Sequence, residues 1–190
     1  MKVSREQAER NRERIVEVAA QLFRERGLEG IGVADLMKSA GLTHGGFYGH
    51  FESKEDLVAQ ACERALSDAE ARWQNIAGGA DKRPLRTIVS RYLSAHHRDD
   101  PGAGCLVAAV GSEAARQGSP VRRVLTHGLK TSFELLSRLM PGRSERVRRK
   151  QALATYASLV GGLILSRVVD DVDLSAEILA AVTASVPSNV

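Results

Sequence analysis

The placement of proline constrains this chain more than any other feature. The five prolines are Pro84, Pro101, Pro120, Pro141 and Pro187, so the first 83 residues contain none. Proline breaks helix interiors but is tolerated at helix starts and in turns. The intervals between prolines are therefore free to form helices, and each carries apolar residues at helical spacing. Ile15, Val18, Ala19, Leu22 and Phe23 fall at i, i+3, i+4, i+7 and i+8, and Gly27 ends the run. Val33, Leu36, Met37 and Ala40 repeat the pattern, and Gly41 ends it. Ser53 followed by Asp56 has the form of a capping box with Asp in place of Glu or Gln. It opens a helix through Leu57, Ala61, Ala65, Ala69 and Trp73, ending at Gly78-Gly79. Further helices are expected over 85–98, 105–117, from Ser119-Pro120 to Leu139, over 144–169, and over 175–186, with a frayed tail from Pro187. With a very short helix starting at Thr43, the count is nine helices and no strand. Aromatic residues are only 4% of the chain, which also favours an all-α fold over sheet.

The remaining composition excludes whole classes. The longest nearly apolar run, Leu153 to Leu165, is broken by Thr155 and Ser158 and is too short to span a bilayer. The first residues, MKVSREQAERNRER, have no apolar core, so no secretory signal is expected. Two cysteines, Cys62 and Cys105, make no disulfide framework, and a reducing cytoplasm is the expected location. The net charge of +4 hints at nucleic acid, but its location weakens the hint. Residues 1–60 hold nine Lys/Arg against ten Asp/Glu, and the excess lies in the other 130 residues. DNA binding by the N-terminal segment must therefore rest on individually placed groups rather than a bulk basic field.

Residues 32–54, GVADLMKSAGLTHGGFYGHFESK, carry the most information. A helix ending at Ala40-Gly41, a three-residue turn and a second short helix from Thr43 make a helix-turn-helix arrangement, whose second helix enters the major groove by its N-terminal residues. Thr43, His44 and Gly45 are then placed at base edges. Gly45 and Gly46 are poor helix formers, but they let backbone N–H groups approach a phosphate or a base. Tyr48, His50, Lys54 and Lys38 offer donors to phosphates, which fix register without reading sequence. Phe47 and Phe51, four apart, point inward.

A wider pattern surrounds this motif: Arg12 and Ile15, then Ala19, Leu22 and Phe23, then Gly27, then Ala40-Gly41-Leu42-Thr43 and Gly46, then Tyr48, His50 and Phe51, then Lys54 and Leu57. It resembles the TetR family of repressors over residues 12–57, about a quarter of the chain. Two departures stand out: Gly32 where Thr or Ser usually caps the second helix and touches phosphate, and Leu36-Met37 where Ile-Ala is usual.

The resemblance implies a three-helix DNA-binding domain over residues 1–52 and a helical ligand-binding and dimerisation domain over 53–190. It implies a homodimer built by the last two long helices, for which Gly161, Gly162, Leu165, Ile178 and Val182 are the candidate contacts. Close helix approach at Gly161-Gly162 fits that role, with an internal packing seam as the alternative. It also implies a pseudo-palindromic double-stranded DNA operator as partner. Candidate lining for a small apolar ligand is Tyr92, His96, Cys105, Leu106, Ala109, Val110, Phe133, Leu136 and Tyr156, each also consistent with ordinary core. Cys105 follows Pro-Gly-Ala-Gly at a helix start, where thiolate chemistry is favoured, and Gly-Cys-Leu there resembles a TetR subgroup that senses electrophiles or oxidants. An inert buried thiol is the alternative, and Cys62 is expected to pack. Arg143, Arg146, Arg148, Arg149 and Lys150 read as a solvated face or a second DNA contact.

The leading expectation is a ligand-responsive DNA-binding repressor, not an enzyme, with no cofactor, no metal and no membrane partner. A small-molecule sensor acting through a protein partner, and a thiol enzyme using Cys105 with His96 or His97, are the other readings. No G-x-S-x-G, H-E-x-x-H, P-loop, C-x-x-C or G-x-G-x-x-G motif supports the enzyme.

Overall fold

The computed structural model describes residues 4–187, and these are all-helical. The expected fraying beyond Pro187 falls on residues 188–190, outside the described residues. Helix α1 spans Arg5–Arg26, capped by the Ser4 hydroxyl accepting from the Gln7 N–H, and it stops at Gly27, whose φ of 81° suits glycine. Helix α2 spans Val33–Ser39 and is followed by a 3₁₀ helix, His44–Gly49. Helix α3 spans Lys54–Gly78. At its start Ser53 Oγ accepts from the Asp56 N–H as the expected capping box requires, while Asp56 reaches back one residue further, to the Glu52 N–H rather than that of Ser53.

Helices α4 (Pro84–Tyr92), α5 (Ala95–Asp99), α6 (Leu106–Ala114), α7 (Ser119–Leu139), α8 (Glu145–Val168) and α9 (Val172–Ser185) complete the chain. Three local expectations need correction. The single helix over 85–98 is two, because the backbone leaves helical geometry at Leu93 and Ser94 caps a fresh turn through the His97 N–H. The described residues thus hold ten helical elements rather than nine. Gly118, not Ser119, is the N-cap of α7. The last helix starts at Val172, because Asp171 caps it through the Leu174 N–H. Ser175 is instead buried, donating to the Ser166 carbonyl and accepting from Arg98.

Two hydrophobic clusters organise the molecule. The first gathers Phe23, Leu28, Leu36, Met37, Phe47 and Leu57 with Leu106, Val110, Val121 and Leu125 of α6 and α7. It therefore takes residues from both sides of residue 52. The second gathers Leu85, Tyr92, Leu136, Tyr156, Leu159, Leu163 and Leu179. Each fully buried large side chain contributes about 1.5–3 kcal/mol of transfer free energy. Helix α3 joins the two, with Leu57 and Ala61 in the first and Trp73 packed against the second. Helix α7 runs alongside it, with Gly118 against Glu55 and Gly128 against Leu66.

No helix among the described residues is long and apolar enough to cross a membrane. Helices α8 and α9 leave Leu153, Ile164, Leu165, Val168, Val172 and Leu174 exposed. Gly162 faces inward: a Cβ there would lie 3.0 Å from Val182 Cγ2, so these two residues meet in the seam between α8 and α9 of one chain. Gly161 has open space beside it, and Ile178 is half-buried.

Candidate nucleic-acid interface and cavity

The turn between α2 and the 3₁₀ helix is built by Gly41. Its φ is 74°, which disfavours a side chain, and the Arg14 guanidinium lies over its open face. The chain then needs a helix, but Gly45, Gly46 and Gly49 stand in a six-residue segment, and the result is 3₁₀ rather than α. Phe47 holds it down: the ring is fully buried and stacks 5.5 Å from Phe51.

With Phe47 inside and three positions glycine, few side chains can face outward. Thr43, His44 and Tyr48 are exposed, Tyr48 at 72%, and His50 is half-buried against Phe51. The Thr43 hydroxyl makes no capping bond. Gly45 is exposed with open space around it, while Gly46 is half-buried near Met37. Lys38 is exposed on α2. Lys54, at the start of α3, pairs with Glu29 at 3.5 Å, and Glu29 also accepts from Gln117. Sequence reasoning missed Glu29, because nothing in a lone loop glutamate marks it as a neighbour of Lys54.

A cavity of about 980 Å³ opens at the other end of α3, walled by α3, α4, α5, the 100–105 loop, α7 and α8. Of the expected lining, Tyr92, His96, Cys105, Leu106 and Tyr156 are there. The other expected residues pack elsewhere. Ala109 and Val110 turn to the first hydrophobic cluster, Leu136 is sealed in the second, and Phe133 stands behind Tyr156 at 5.3 Å. The cause is helical phase: α6 has nine residues, and only its first turn reaches the cavity. Trp73, Arg72 and His97 line it unexpectedly. Trp73 stands edge-on to Tyr92 and Tyr156 at 6.2 and 6.1 Å.

His97 fixes the inner wall. Its Nε2 accepts from the Cys105 N–H at 2.8 Å, so Nδ1 carries the proton and donates to the Tyr92 carbonyl at 2.6 Å. Burial lowers its pKa, which keeps the ring neutral. Both nitrogens are thus engaged in structure. The Arg167 guanidinium donates to the His97 and Arg98 carbonyls at the end of α5. Tyr92 and Tyr156 both stand next to Cys105, and burial first, then that neighbour, pushes each phenol up. The Tyr92 hydroxyl is buried without a hydrogen-bond partner. Cys105 is half-buried, whereas Cys62 is sealed in the first cluster and burial raises its thiol to about 12.

Two bonds tie this cavity wall to the helix-turn-helix end. Arg24 of α1 donates to the Gly102 carbonyl at 2.6 Å, gripping the loop that precedes Cys105. Glu113, in the last turn of α6, accepts from the Leu28 N–H at 2.8 Å just past α1. In the basic run opening α8, Arg148 donates to the Gly142 carbonyl and Arg149 lies over the Phe133 ring.

Residues 15–61 match the model of the bacterial regulatory proteins of the tetR family. The repressor DhaR of Mycobacterium sp. (strain GP1) is 32% identical over 60% of this chain and 57% of its own length. The repressor KstR2 of Rhodococcus jostii is 38% identical over 44% of this chain and 42% of its own. The chain therefore spans about half the length of these curated relatives. The structure of Escherichia coli NemR in its reduced form superposes with a TM-score of 0.79 at 22% identity, covering 93% of this chain and 95% of that one. Helix order, helix-turn-helix and the matched segment agree: residues 15–61 are similar to the DNA-binding region of the tetR-family regulators, and the described fold is similar to that of NemR.

Proposed function

We propose that this protein is a cytoplasmic transcriptional repressor that holds a palindromic operator as a homodimer and leaves it when a small apolar molecule or an electrophile occupies the cavity. Residues 1–52 read DNA, and 53–190 bind ligand and dimerise. The observation that carries this reading is the span of α3. One helix places Lys54 beside the outward groups of the 3₁₀ helix and, 19 residues on, Trp73 in the cavity wall. Helix α6 repeats the arrangement, with Leu106 in the cavity and Glu113 on the end of α1. A change in the cavity therefore has two rigid routes to the reading end.

The exposed apolar residues of α8 and α9, centred on Leu165, form the dimer face. Gly161 allows close approach there, while Gly162, Ile178 and Val182 shape the seam behind it. Pairing two copies sets two reading elements roughly 34–36 Å apart, or a multiple of that. Selection from a randomised duplex pool tests the reading. It should enrich a palindrome bound with a strong salt dependence. No enrichment over random duplex at low salt would remove the DNA-binding role and leave a sensor acting through a protein partner.

One observation favours the electrophile as a signal: the Cys105 sulfur stands in the cavity wall between two phenols. N-ethylmaleimide, added to the operator complex, should release the parent and Cys62→Ser but not Cys105→Ser. Release of Cys105→Ser as well would leave the non-covalent signal alone.

A further inference from the structure

Resting on the reading of the cavity as a ligand site, we propose that its ligand is a flat, uncharged aromatic carbonyl compound whose oxygen accepts from the Tyr92 hydroxyl. The walls set the shape. Trp73, Tyr92 and Tyr156 meet edge to face around the inner end, and Leu106 closes it. Such ring edges and faces receive another aromatic ring in offset or edge-on contact.

The polar groups set the chemistry. His97 has no nitrogen left to offer, since one accepts from Cys105 and the other donates to Tyr92. Arg24 and Arg167 are directed at backbone carbonyls of Gly102, His97 and Arg98. Asp100 accepts from the Ala103 N–H. Arg72, Arg91 and His96 also line the cavity; at its inner end the Tyr92 hydroxyl is buried with no partner but the Cys105 thiol beside it, a weak acceptor. An unmet donor at the wall of an apolar cavity calls for an acceptor. A ligand ammonium would bring donors to a donor. A carboxylate would lose its hydration at that buried inner end, and the Arg72 and Arg91 guanidinium groups elsewhere in the lining are where an anion would compete. A neutral carbonyl oxygen supplies the lone pairs without that loss. It reaches the hydroxyl once the Cys105 side chain turns about its Cα–Cβ bond, a single rotamer change.

The test uses 2-acetylnaphthalene and 2-ethylnaphthalene, which match in shape and differ in the oxygen. Binding is read from the fluorescence of Trp73, the only tryptophan. The acetyl compound should bind about tenfold more tightly, the size of one buried hydrogen bond. Tyr92→Phe should abolish that preference, so that the two compounds bind alike. Tyr92→Phe removes only an unpartnered hydroxyl, so the variant should fold, and its melting transition checks this. Equal affinity of the two compounds overturns the proposed ligand class and leaves the cavity as a ligand site. A preference that survives Tyr92→Phe overturns the role of that hydroxyl. Saturation by neither compound overturns both the ligand class and the cavity reading. A 2-naphthoate affinity above that of the ketone replaces the neutral ligand with an anion.

Discussion

The two ends of α3 sit in opposite surroundings. Its 25 residues span about 37 Å. At the Lys54 end, the neighbouring 3₁₀ helix with its caps is thin and turned to solvent: three glycines, one buried phenylalanine, and outward groups at Thr43, His44, Tyr48 and, half-buried, His50. At the Trp73 end, the surface is folded inward, aromatic, and flanked by bonds between residues far apart in the chain, from Arg167 to the His97 and Arg98 carbonyls and from Arg24 to Gly102. The first arrangement suits a partner that brings its own charge and needs close backbone approach. The second suits a partner small enough to be enclosed. The same helix serves both because its two ends lie on different hydrophobic clusters.

The adjacent pair Phe47 and Tyr48 tests the first half of that contrast most severely. Phe47 is fully buried and Tyr48 is 72% exposed. Phe47→Ala should cost about 3–5 kcal/mol of stability. Tyr48→Ala should change stability by less than about 0.5 kcal/mol and still weaken DNA binding. Urea unfolding of the two variants decides it. Equal losses would mean that the 3₁₀ helix is held by its outer face.

The same asymmetry decides what could be read from sequence. The helix ends were legible where a cap or a glycine sits in the chain, as at Ser53 with Asp56, at Gly27 and at Gly41. The exposure of Thr43, His44 and Tyr48 was legible because they occupy one short segment whose spacing fixes which residues face out. The cavity was not legible in this way. Tyr92, His96, Cys105, Leu106 and Tyr156 come from four segments, and a shift of one helical turn separates lining from core. Ala109 and Leu136 were lost on that account. His97 lies next to His96 and is indistinguishable from it in sequence. Only the meeting of α4, α5 and α6 gives its ring two bonds.

Lys54 carries the next effect. Its ammonium pairs with Glu29, so DNA phosphate must displace a carboxylate. Lys54→Ala should weaken all duplexes about tenfold and reduce the salt slope by about 1. Glu29→Gln should act oppositely, tightening binding a few-fold at low salt, with the gain vanishing as salt rises. Filter-binding titrations at several salt concentrations separate the outcomes. An unchanged slope in Lys54→Ala would place this residue off the DNA.

Glu113 sharpens the claim that the two ends communicate. Its carboxylate sits in the last turn of α6, where a helix terminus disfavours negative charge. Yet it meets the Leu28 N–H at 2.8 Å. Glu113→Ala should leave ligand affinity for the free protein unchanged. It should also shrink the ligand-induced loss of operator affinity about fivefold, near 1 kcal/mol of coupling. Because coupling is reciprocal, the operator's effect on ligand affinity should shrink equally. Full coupling in Glu113→Ala would assign transmission to α3 and the Arg24–Gly102 bond.

Gly32 gives the smallest effect and probes how sparsely the DNA side is built. It is the N-cap of α2, with φ −81° and ψ 158°, which any residue adopts, and no side chain caps the helix. A Cβ there meets nothing within 4 Å. A hydroxyl is therefore admitted by both backbone and space. Gly32→Ser should accept from the first turn of α2 and stabilise the fold by a few tenths of a kcal/mol, roughly the margin by which serine exceeds glycine as an N-cap. The exposed position next to the reading element also offers the hydroxyl to a phosphate. Operator affinity should then rise a few-fold, equally for matched and mismatched duplexes, since phosphate contacts carry no sequence information. A gain in stability without a gain in affinity would turn the start of α2 away from the DNA. Docking would then rest on the 3₁₀ helix and Lys54.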